Sequence, residues 1–178
     1  MATFTEQDIR EGLGKLGELA QSRGIHIQLI VVGGAVMVLA FGARQSTRDV
    51  DTVILLPREA RIVRDLAKQV AEELDWPADW LNDGAKGYLR GVSDGPIIFQ
   101  APGIEVRAPS FEQLLAMKLS DWRDEVDISD AQRILEGLAI NYGRAELWQA
   151  IEPYLVPGDE LTAQYAFLDI WESLYGTD

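Results

Sequence analysis

The chain contains no cysteine. That absence removes disulfides, thiolate metal sites and cysteine nucleophiles together, and it suits a reducing compartment such as the cytoplasm. There is a single histidine, His26. A histidine-rich zinc site is excluded, and so is a Ser–His–Asp triad unless His26 is its base. Basic residues are scarce: 16 Lys and Arg stand against 29 Asp and Glu, a formal charge of −13. A surface of that sign repels nucleic acid on average, while a local basic patch can still receive one nucleic-acid end. Long apolar runs are missing as well. Gln28 to Gly42 comes nearest, but two glycines break it and it is shorter than the about 18 residues of a membrane helix. The opening MATFTEQDIREGL is polar and acidic, without the apolar stretch of a secretory signal. No membrane association is expected.

What remains is ordinary for a globular protein. Of 178 residues, 47% are hydrophobic and 25% charged, enough to bury a core in one domain or one domain with a small appendage. Any divalent cation would be held by oxygen, which suits Mg²⁺ or Mn²⁺.

Thr5 caps a predicted helix to about Ser22, with Asp8 three residues on as only an echo of a capping box. Ile9, Leu13, Leu16, Leu19 and Ala20 form its inner face, and Gly24 ends it. His26 to Val32 reads as a buried strand. Gly33-Gly34 opens a short helix through Phe41, closed by Gly42, and Asp49 to Leu56 is a second strand. Pro57 starts a helix to about Trp76, with Ile62, Val63, Leu66, Val70 and Leu74 inward. Pro77 to Gly84 reads as a short helix and a turn. Pro96 to Gln100 and Ile104 to Arg107 make a hairpin around Pro102-Gly103. From Ser110 onward only helices are expected, broken near Val126, at Asn141-Tyr142-Gly143 and at Val156-Pro157-Gly158. The expectation is an α/β (α+β) fold: a mixed sheet core flanked by helices over 1–109, and a helical region over 110–178 packed on it.

The chemistry concentrates in VVGGAVMVLAFGARQSTRDVD, Val31 to Asp51. Residues two apart on a strand share a face, so Asp49 and Asp51 project together. Two adjacent carboxylates raise one another's pKa unless a cation lies between them. Upstream, Gly33-Gly34 sits where a strand ends and a helix begins, a place where backbone can approach a phosphate closely. Each feature has a plainer account. An isolated Asp-x-Asp most often flanks a strand in solvent, and most glycine pairs mark tight turns.

Taken together, Gly33, Gly34, Gly42, Arg44, Thr47, Asp49 and Asp51 resemble the nucleotidyltransferase fold of the DNA polymerase beta superfamily. More narrowly, the chain looks like small bacterial nucleotidyltransferase-like proteins related to AbiEii-type toxins. DWLND at Asp79 to Asp83 and LLAMKLSDWRDEVDISDAQRIL at Leu114 to Leu135 agree with this. The resemblance implies that Gly33 and Gly34 hold a nucleoside triphosphate and that Asp49 and Asp51 bind Mg²⁺ or Mn²⁺. It implies a hydroxyl acceptor, whether a tRNA or other RNA end, a protein or a small molecule, and admits a place in a toxin–antitoxin pair. A third carboxylate is expected on a later strand, where Glu105 is the candidate; a surface strand residue is the other reading of Glu105.

Arg44 suits a phosphate better than Arg48, which points away from Asp49 if the strand has begun, and Thr47 can fix the loop by a backbone hydrogen bond. Lys118 interrupts the apolar stripe of Phe111, Leu114, Leu115, Leu119 and Trp122. Either it snorkels or meets an acid, or, as the resemblance implies, it reaches phosphate. Asp127 could hold Lys118 or an arginine, Asp130 reads as a helix-start residue, and Arg123 as a solvent-facing partner of nearby acids. Trp80, Leu81 and Asn82 read as packing and turn residues, with stacking on an adenine as the lesser reading of Trp80, and His26 as structural or exposed. Tyr165, Phe167, Leu168, Trp171, Leu174 and Tyr175 exceed what one face of a small helix needs, so a protein partner at the C-terminal helices is the alternative to catalysis.

Overall fold

The computed structural model describes residues 2–87, 89–120 and 125–177. The chain divides into two compact units, Met1–Gly87 with Asp94–Pro109, and Tyr88–Ser93 with Ser110–Asp178.

In the first unit, β1 (Phe4–Thr5) leads into α1 (Glu6–Ser22) through a full capping box. The Asp8 carboxylate accepts from the Thr5 amide and hydroxyl, and those bonds hold its pKa below the usual carboxylate value. There follow β2 (Ile27–Val32), α2 (Gly33–Leu39), β3 (Ser46–Thr47) and β4 (Val50–Leu56). Then come α3 (Ala60–Leu74), β5 (Leu81–Asn82), a 3₁₀ turn at Gly84–Gly87, β6 (Ile97–Ala101) and β7 (Ile104–Arg107). Five strands form one mixed sheet in the order β5-β4-β2-β7-β6; β1 and β3 pair separately. β2 is central, which explains its near-continuous apolar sequence: Ile27, Leu29, Ile30, Val31 and Val32 are all buried. It runs antiparallel to β4 and parallel to β7. The hairpin of β6 and β7 lies where the sequence places it.

Five elements differ from expectation. β1, β3 and β5 span two residues each, too short to show any periodicity. The expected short helix after Pro77 is a turn leading into β5. α3 begins at Ala60, with Pro57 in the connection before it, and it ends at Leu74, because Asp75 turns left-handed (φ 55°). β4 begins at Val50, leaving Asp49 at its mouth.

The second unit is helical: α4 (Phe111–Ser120), α5 (Glu125–Ala139), α6 (Arg144–Ile151), a 3₁₀ turn at Glu152–Tyr154 and α7 (Glu160–Tyr175). Its core includes Leu114, Leu115, Leu135, Leu147 and Phe167, the last ringed by Trp148 and Trp171 at 5.5 and 5.9 Å. Segment 88–93 joins this unit through buried Gln113. The Gln113 amide accepts from the Ser93 amide and hydroxyl and donates to the carbonyls of Arg90 and Gly91. α5 starts five residues before Asp130, so Asp130 is not a helix-start residue; it is buried against Lys118. On α7, Phe167 and Trp171 turn inward, whereas Leu161, Tyr165 and Tyr175 are exposed. Trp122 and Arg123 lie outside the described residues. Among the described residues, no helix is long and apolar enough to cross a membrane.

Candidate active site

The antiparallel register of β2 and β4 sets Asp51 opposite Val32, the last residue before Gly33-Gly34. Gly33 has φ +65°, a conformation that side chains rarely adopt, and a Cβ there would stand 3.0 Å from Asp51 Oδ2. A Cβ on Gly34 would lie 2.6 Å from Thr47 Oγ1 and 3.1 Å from an Arg44 guanidinium nitrogen. The fold thus gathers Gly33, Gly34, Arg44, Thr47 and Asp51 within one patch. Thr47 is buried in β3, where it pairs with Phe4 of β1.

Asp49 completes the carboxylate pair. Its pKa is raised, first by burial, then by the negative charge of Asp51, with a smaller push from Asp79. A hydrogen bond from Asn82 and the charge of exposed Arg48 oppose the rise. The Asn82 Nδ2 donates to Asp49 Oδ2 at 3.2 Å. The sequence alone places Asn82 among packing and turn residues. Its contact depends on parallel pairing of β5 with β4, which sets Asn82 beside Asp51 and has no local signature.

The remaining candidates fall elsewhere. Glu105 pairs with Gln28, four residues along β2 from the position opposite Asp51, a separation of about 13 Å along the strand. Its carboxylate accepts instead from Arg107 Nε at 2.8 Å. The fold does not bring Glu105 to the pair, and among the described residues no group of three acids or histidines could hold a metal. Lys118 belongs to the helical unit, where its ammonium lies 3.1 Å from Asp127 and 2.8 Å from Asp130. That is the ion-pair reading, with Asp127 in the holding role. Trp80 is buried and donates its indole N–H to the Ala67 carbonyl at 2.9 Å, which leaves no face for stacking on a base. His26 is exposed.

The donor set fits a hard cation. Both donors are carboxylates, and their mutual repulsion is what a cation between them would relieve. Mg²⁺ is commonly held by one or two carboxylates, with water and substrate phosphates completing its shell, so two aspartates suffice to anchor it.

Residues 6–90 match a family model described as "Nucleotidyl transferase of unknown function (DUF2204)". The match spans just under half of the chain and includes every residue of the glycine turn, the carboxylate pair and Asn82. It supports a nucleotidyltransferase, and hence a transferase, at that coarse level. Neither the curated proteins nor the solved structures compared with the chain gave a match.

Two expected outcomes follow from this geometry. Gly34→Ala forces Thr47 and Arg44 to shift, so we expect a stability loss of about 1–2 kcal/mol in urea unfolding and nucleotide binding weakened about tenfold. Gly14→Ala, within α1 and with nothing near its Cβ, should gain about 0.5–1 kcal/mol and leave binding alone. The second outcome concerns pH. A carboxyl whose pKa is raised by folding favours the folded state below its unfolded pKa and loses that contribution as pH rises through the folded value. Asp49→Asn should therefore raise the melting temperature of metal-free protein at pH 7, by about 1–2 °C given partial exposure of the pair. The gain should shrink as pH falls through the raised folded value and be gone below about 4, the unfolded carboxyl range. Thermal melts in EDTA across pH 3–7 check this, and equal melting curves at every pH would remove the repulsion from the account.

Proposed function

We propose that the chain is a Mg²⁺- or Mn²⁺-dependent nucleotidyltransferase that moves a nucleoside monophosphate from an NTP to a hydroxyl acceptor. The observation that carries this is the packing of Gly33 against the Asp51 carboxylate and of Gly34 against Arg44 and Thr47. The absence of side chains on the turn lets a triphosphate approach the backbone. Arg44 offers a guanidinium fork to phosphate oxygens, and Thr47 a hydroxyl. Asp49 and Asp51 would hold the cation against the same phosphates. When bound, that cation polarises the α-phosphate and makes the acceptor hydroxyl more acidic. A bond forms from the acceptor oxygen to the α-phosphorus, the α–β bridging bond breaks, pyrophosphate leaves and the hydroxyl proton passes to solvent. The acceptor is an RNA end, a protein side chain or a small molecule, and the charge of −13 weighs against an extended RNA surface. Membership of a toxin–antitoxin pair belongs to this reading, and growth arrest on expression of wild type but not of Asp51→Asn is its readout.

The test is calorimetric titration of ATP, GTP, CTP and UTP with Mg²⁺ or Mn²⁺, followed by transfer from α-labelled NTP. Metal-dependent binding of one or more NTPs is expected. No binding by folded protein would sink the reading. A second reading, a catalytically inactive relative acting through a protein partner, is favoured by the displacement of Glu105 from the pair. It expects NTP binding or none, and no transfer of label to any acceptor.

A further inference from the structure

The two-residue strand β5 is held with more care than its length explains. The Thr52 hydroxyl, fully buried, donates to the Asn82 carbonyl at 2.9 Å. Trp80, just before the strand, is locked to Ala67 of α3 by its indole N–H. Asp83, just after it, takes both nitrogens of an Arg64 fork from α3, at 3.0 and 2.6 Å. The Gly84 amide donates to Asn82 Oδ1 at 3.2 Å, which fixes the side-chain amide plane and directs Nδ2 at Asp49. Four anchors hold the short segment 80–84, and one of them fixes the Asn82 side-chain amide directly.

We propose that Asn82 is a positioning residue for the carboxylate pair, and that the Arg64–Asp83 clamp keeps it in register. The inference rests on the nucleotidyltransferase reading. Asp49 lies outside β4, so no ladder bond fixes it. The bond from Asn82 occupies Oδ2, limits rotation of the carboxylate and leaves Oδ1 for a cation. Being uncharged, Asn82 steadies Asp49 without competing with that cation, which a lysine or arginine in its place would do. Partners that orient a metal-binding carboxylate are typically worth about 10–100-fold in metal affinity.

Mn²⁺ binding to the full chain without nucleotide, followed by electron paramagnetic resonance, tests this alongside thermal melts. Wild type should bind, and Asn82→Ala should bind about tenfold more weakly while melting within a few degrees of wild type. Arg64→Ala should weaken Mn²⁺ binding about threefold. The sign discriminates, because deleting a positive charge acts through its field alone to strengthen cation binding. Arg61→Ala, on the same helix and paired with Asp65, should not weaken it. Unchanged affinity in both Asn82→Ala and Arg64→Ala would overturn the positioning role while leaving the nucleotidyltransferase reading standing. If Asn82→Ala does not fold, Arg64→Ala decides alone. Absence of Mn²⁺ binding by wild type would instead remove the reading on which the role rests.

Discussion

Asp51→Asn should lower nucleotidyl transfer by at least about 10³-fold and abolish metal-dependent NTP binding, with the fold intact. The replacement keeps the size and shape of the side chain and removes its charge. That charge lies against the glycine turn, with Asp51 Oδ2 close to where a Gly33 side chain would begin. Loss of metal-assisted stabilisation of the transferring phosphate costs several kcal/mol, and about 4 kcal/mol corresponds to about 10³ in rate. Because burial and repulsion within the pair already disfavour the ionised form of Asp49, removing one charge should leave the metal-free protein no less stable. Single-turnover transfer from α-labelled NTP and a thermal melt read the two quantities separately. Wild-type turnover in a folded Asp51→Asn protein would place the chemistry elsewhere.

The largest expected loss of stability lies in the helical unit. Lys118→Met should destabilise it by about 3–5 kcal/mol, since Asp127 and Asp130 then lose the cation they share. The Lys118 side chain is 10% exposed, and those of Asp127 and Asp130 are 15% and 3% exposed, so water cannot readily replace it. The double variant Lys118→Met/Asp130→Asn should recover part of the loss by removing the more buried carboxylate. Arg10→Met breaks a pair of similar length with Glu6 but on an open helix surface, and should cost under about 1 kcal/mol. Urea unfolding of the three variants checks the order. A Lys118→Met protein as stable as Arg10→Met would mean that the shared cation is dispensable.

The sequence reveals most where the signal is local. The capping box at Thr5 and Asp8, the buried run of β2, the turn at Gly33-Gly34 and the β6–β7 hairpin all lie within a few residues of their own cause. It reveals least where pairing is distant. Asn82 meets Asp49 only because β5 lies parallel to β4, and nothing in Leu81-Asn82 announces a strand. Glu105 looks suitable in isolation, alternating correctly with Ile104 and Val106, yet its height on the sheet is set by pairing with Gln28. Alternation tells which face a residue takes and says nothing of its register. Lys118 shows the opposite case: a charge in an apolar stripe demands a partner, and both acids that supply it lie on the next helix.

The pairing of β1 with β3 ties the loop that carries Thr47 to the start of α1, far away along the chain. Local opening of the molecule should respect that bond more than sequence order. Amide exchange at Ser46 and Thr47 should follow the first turn of α1, not neighbouring β4, so that the Thr47 loop and the first helix loosen as one cooperative unit. A ligand seated at the glycine turn would then slow exchange at Phe4 and Thr5, residues it never touches.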